Sequence, residues 1–144
     1  MNITDEIIAA RNCGVVHCGF SSLVSPSLAE LASQFGLSAD PANYREIDEA
    51  SARWLIEMVL NQDMAYNAEI LPADRAVELA DRFLSPFRAQ EVRFFTNGSF
   101  HEARGPKLTW SGASWNPATQ ATFDTGVMIL GPKFSACLWV EDED

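Results

Sequence analysis

Three cysteines, two histidines and a surplus of carboxylates are the residues of this chain that could do chemistry. Cys13-x3-His17-Cys18 comes nearest to a metal motif, because thiolate and imidazole are zinc ligands. Adjacent His17 and Cys18 do not both face one ion on regular structure, however, and no second ligand pair follows. Small buried cysteines are the expectation there. A Cys–His nucleophilic pair would need Cys18 or Cys137 beside His101, together with an oxyanion site. No known nucleophile turn surrounds either cysteine, and Cys137 falls in a strand pattern that favours burial over reactivity. The chain has no glycine-rich phosphate loop, no HExxH and no GxSxG. No metal and no cofactor is expected.

Carboxylates dominate the rest. Twenty Asp and Glu face ten Lys and Arg, for a formal net charge of -10. That balance disfavours nucleic-acid backbones and anionic membranes and favours a cationic partner. The surplus lies in residues 1–72 and in the final run Glu141, Asp142, Glu143 and Asp144. Asp48, Glu49 and Glu57 are expected on a solvated helix face. Asp124 stands in Phe123-Asp124-Thr125-Gly126-Val127, and its Asp-Thr-Gly triplet superficially resembles the aspartic protease loop. A single triplet would need a dimer to make a dyad, so local backbone hydrogen bonding is the expected role. Trp110 and Trp115 flank small residues ahead of a loop. They are expected to cover the sheet core or, as exposed rings, to anchor a partner. Asp124, His101 and Trp110 would line the pocket of an alternative, ligand-binding or enzymatic domain.

The elements that must position these groups follow from periodicity and turn chemistry. Thr4 is expected to cap a first helix, and Cys13 to Phe20 to form a buried turn or short strand. A second helix opens at Ser25-Pro26, or at a capping box of Ser27 and Glu30, and ends at Gly36. The clearest helical pattern runs over residues 46–61, and another helix starts at Pro72 and stops at Ser85-Pro86. Strands are expected at 91–95, 99–104, 107–111, 121–130 and 134–140, the first two joined by an Asn97-Gly98 hairpin. The acidic tail is expected to fray.

Helices first and strands later predict an α+β fold. Three or four N-terminal helices would pack on an antiparallel meander of about four or five strands, in one domain over residues 1–144. An odd cysteine count, no signal-peptide pattern and no long apolar run predict a reduced, cytoplasmic protein.

The C-terminal pattern carries one resemblance. Phe123-Asp124-Thr125-Gly126-Val127, the Gly131-Pro132 turn and Leu138-Trp139-Val140 followed by the acidic run are similar to the endings of small bacterial proteins. Some of these resemble immunity proteins of polymorphic toxin and contact-dependent inhibition systems. The likeness covers roughly the last 25 residues. It implies a cytoplasmic antitoxin that binds one cationic toxin domain and blocks its active site. Such families share no catalytic motif, so no residue role transfers by position. The expected contacts are Asp48, Glu49, Glu57, Trp110, Trp115 and the four tail acids, in a monomer or a homodimer.

Overall fold

The computed structural model describes residues 2–103 and 113–143. Among them are four α-helices, α1 (Ile3–Ala10), α2 (Leu28–Gln34), α3 (Glu49–Asn61) and α4 (Ala73–Leu84). Five strands accompany them, β1 (Val15–Ser21), β2 (Arg45–Ile47), β3 (Arg93–Thr96), β4 (Phe123–Leu130) and β5 (Ser135–Asp142). The fold is α+β. All strands pair antiparallel in one sheet of order β1-β5-β4-β3-β2. Strands β3, β4 and β5 form the central meander, while the first half of the chain supplies both edges.

Local chemistry explains the helix ends. The Asn2 side chain, not Thr4, caps α1 by accepting from the Asp5 N–H at 2.9 Å. Of the two openings expected for α2, the capping box forms: Ser27 accepts from the Glu30 N–H, and Glu30 accepts from the Ser27 N–H. Gly36, at φ +74°, lets the chain leave that helix in the left-handed region. Asp48 caps α3 through the Ser51 N–H at 2.7 Å.

Both faces of the sheet are covered, so the middles of its central strands are buried. Along β5, Ala136, Leu138 and Val140 point into a core shared with Leu55, Ile56 and Val59 of α3 and Leu79 and Phe83 of α4. Cys137 and Trp139 point the other way, against Leu31 and Ala32 of α2, Tyr44, Phe95 and Met128. Each fully buried Leu or Phe contributes about 2 kcal/mol on transfer from water, so the alternation locks the register of β5 against both layers.

Three further expectations change. The helical pattern over 46–61 splits, because Arg45–Ile47 pair with β3 and the helix begins only at Glu49. Asn97-Gly98 makes no hairpin. Asn97 turns inward to bond the Asn116 carbonyl and Asp124, Gly98 bridges to Trp115, and Phe100–Ala103 forms a 3-10 turn instead of a returning strand. Of the two alternatives expected from Cys13 to Phe20, the short strand forms as β1, seven residues paired along β5 and only partly buried. The first half of the tail does not fray, since β5 continues through Glu141 and Asp142. The strand expected at 107–111 lies outside the described residues.

Candidate functional site: an acidic cleft beside the β2 edge

The end of β2, the start of α3 and the segment after α4 enclose a cleft of about 430 Å³. Its apolar floor is Leu84, Phe87 and Phe94. Four carboxylates stand around it, from Glu46, Asp48, Glu49 and Glu91, against the guanidinium groups of Arg88 and Arg93. Helix α4 ends at Ser85-Pro86, and Ala89 takes a left-handed conformation at φ 63°. That kink, unusual for a residue with a Cβ, carries Gln90 and Glu91 to the cleft.

The carboxylates are not equivalent. Glu46 is held by Arg93, whose Nη2 donates at 2.9 Å and Nε at 3.2 Å. The Arg93 hydrogen bond holds the Glu46 carboxyl below the usual glutamate range. Asp48 is engaged at the helix N-terminus, where it meets roughly half a unit of positive charge. Glu49 and Glu91 are exposed and have no partner among the described residues. Gln90 donates from Nε2 to the Pro86 carbonyl at 2.9 Å, while its buried Oε1 accepts from no donor. A buried acceptor without a donor costs about 1–3 kcal/mol. Glu49 and Glu91 call for donors, so the cleft suits a guanidinium or ammonium group.

Asp48 and Glu49 thus share one site, and the other expected contacts lie elsewhere. Glu57 borders a separate groove between α3 and α4 with Trp54, Met58 and Val77. Burial pushes its carboxyl above the usual glutamate range. Trp115 is half-buried, its ring 5.3 Å from Phe100 and 5.7 Å from Phe123, and it walls a hollow with Tyr44 and Asn97. Trp110 and Asp144 lie outside the described residues.

The remaining tail acids serve the fold. Asp142 is only 1% exposed and receives both Nη atoms of the equally buried Arg11, at 2.9 and 2.8 Å. It therefore offers no surface contact, contrary to expectation. Glu141 bonds His17 across the sheet at 2.5 Å, and exposed Glu143 accepts from Thr122.

The alternative pocket does not assemble around Asp124. That carboxylate is fully buried and accepts from Asn97 Nδ2, Trp139 Nε1, the Ala118 and Thr119 N–H groups and the Thr119 hydroxyl. Both oxygens are occupied, and the residue ties the 116–121 loop to the sheet. Burial nonetheless pushes its carboxyl above the usual aspartate range. His101 is 9% exposed on the 3-10 turn.

The cysteines are free thiols. Burial pushes Cys18 up to about 12 and raises Cys13 and Cys137 as well, so thiolate is scarce at neutral pH. Among the described residues no three His, Cys, Asp or Glu gather as a metal-binding group, and no helix is long and apolar enough to cross a membrane.

Gln90, Glu91 and Arg88 escaped sequence reasoning, because only the kink at Ala89 brings them opposite the α3 N-terminus. The available signal was the short stretch between the Ser85-Pro86 stop and the strand pattern at 91. No family model, curated protein or solved structure matches this chain.

Proposed function

We propose that this protein is an acidic protein-binding module, most concretely a cytoplasmic immunity protein that occludes the active site of a cationic bacterial toxin. The observation that carries the reading is the cleft, where the exposed carboxylates of Glu49 and Glu91, unpartnered among the described residues, stand around an apolar floor. Its mechanism is substitution of charge. Carboxylates pair with the Lys or Arg that hold substrate phosphates, and the apolar floor receives the stem of the side chain. The net charge of -10 accelerates encounter with a basic surface and repels nucleic acid and anionic lipid. The protein acts by binding, without catalysis. The competing reading, a small-molecule pocket at His101, Trp110 and Asp124, has no observation behind it once Asp124 is saturated.

The test is affinity capture from lysate at low and high salt, followed by kinetics on the partner found. A stoichiometric basic partner that dissociates in salt supports the reading. Glu49→Lys with Glu91→Lys, both at exposed positions, should then slow association roughly tenfold at low salt and flatten its salt dependence. Unchanged kinetics would remove the cleft from the interface, and no basic partner at either salt would remove the function.

A further inference from the structure

The two edges of the sheet are built differently. Strand β2 is three residues long and carries exposed Arg45 and Glu46, which keep other strands away. Strand β1 is seven residues long, with no proline and no Asp, Glu, Lys or Arg. It lies within a longer uncharged stretch, since no such residue occurs between Arg11 and Glu30. An open edge of that length and neutrality is a template for another strand.

Exposed apolar side chains mark both ends of this edge. Val15 is 51% exposed at its start, while Phe20, Leu23 and Val24 are 36%, 41% and 87% exposed at and beyond its end. Phe20 leans on Phe83, Phe87 and Phe134 and borders an open apolar hollow.

We infer that β1 is a self-association edge, pairing antiparallel with β1 of a second copy to join two five-stranded sheets into one. Two observations select a second copy as the occupant. First, antiparallel pairing about a two-fold axis at Cys18 brings the start of one strand to the end of the other. Val16 then faces Phe20 of the second copy on the same side of the sheet, and Val15 approaches the Leu23–Val24 region. Each apolar end covers the other. Second, β1 itself carries no Asp, Glu, Lys or Arg, and the Glu141 carboxylate beside it is engaged by His17, so a basic segment finds little there to select. This edge is also where two chains of net charge -10 can meet with least repulsion. The strand order leaves β2 and the acidic cleft at the opposite edge, free in such a dimer. The inference therefore stands independently of the proposed partner.

Charge also fixes the sign of the salt response. Each copy carries a net charge of -10, so added salt screens the repulsion between two copies and should tighten the dimer. A complex with a cationic partner would loosen.

The experiment is sedimentation velocity over a wide concentration range, at low and high salt, with hydrogen exchange on the same samples. The expected result is a dimer strengthened by salt, with β1 amides growing more protected as concentration rises and β2 amides unchanged. Val15→Glu with Val24→Glu, both at exposed positions, should weaken it roughly tenfold or more, while Val77→Glu on α4 leaves it intact. A monomer at every concentration would overturn the inference. So would a dimer insensitive to the Val15 and Val24 changes, or β1 protection that appears only when a cationic partner is added.

Discussion

Replacing Asp142 by alanine is expected to lower the unfolding free energy by about 3–5 kcal/mol, because it strands a buried guanidinium. Arg11 is 1% exposed. Its Nε donates to the Val59 carbonyl at 2.5 Å and its Nη1 to the Cys13 carbonyl at 2.7 Å. These two carbonyls do not neutralise the charge, and Asp142 does. The same carboxylate accepts from the Met64 N–H at 2.9 Å, so its removal leaves a backbone donor unsatisfied as well. A domain of this size holds only about 5–15 kcal/mol in total. The loss should therefore appear in urea melts and lower the thermal midpoint by more than about 10 °C. Glu143→Ala, one residue on and exposed, should stay within about 0.5 kcal/mol of the parent. Arg11→Met combined with Asp142→Leu should recover most of the loss, since an apolar pair removes the orphaned charge. A single variant within about 1 kcal/mol of the parent, or a double variant no better than the single, would refute the reasoning.

Asp124→Asn should cost about 3 kcal/mol in urea melts, because an amide turns N–H groups toward donors that now meet oxygens; a loss below about 1 kcal/mol would contradict the saturated geometry. Gly126→Ala should cost about 3 kcal/mol or prevent folding, since its Cβ would sit 2.0 Å from the Leu138 carbonyl oxygen and 2.6 Å from Trp139 Cα, both backbone atoms of β5; soluble expression followed by thermal melts checks it. Side-chain carbon NMR should show Glu57 titrating above the ordinary glutamate value of 4.5, and Glu6 and Glu46 below it. Glu57 should then favour folding fully below 4.5 and lose that contribution as pH rises through its raised value. Glu6, held down by its Arg82 hydrogen bond, and Glu46, held down by that of Arg93, should contribute above 4.5 and lose it as pH falls through their lowered values.

Helices α2, α3 and α4 were legible because their apolar stripes, and for α2 its cap, are local. Ser27 and Glu30 announce α2 within four residues, and Leu55, Met58 and Val59 repeat at helical spacing. What was not legible depends on distant partners. Glu46 and Ile47 continue the helical pattern of α3, yet pairing with Phe95 and Phe94 makes them a strand. Asn97-Gly98 has the composition of a tight turn, but Asp124 captures the asparagine side chain across 27 positions. The acid run at the C-terminus reads as a solvated tail, and only Arg11, 131 positions earlier, draws Asp142 inside. The cleft was half legible. Asp48 and Glu49 are neighbours in the chain, whereas Glu91 joins them only through the fold.

The position of β5 between β1 and β4 has a consequence for biosynthesis. When β1 leaves the ribosome it has no neighbour on either side, and its pairing partner is still more than one hundred residues from being made. Neither helical layer closes properly before then, because Leu138 and Trp139 fill both cores. The nascent chain therefore carries an uncharged, strand-forming segment with two open edges until β5 is made. Folding should therefore wait until β5 has emerged and be slow for a domain of this size, and chaperone contact should concentrate on residues 12–29.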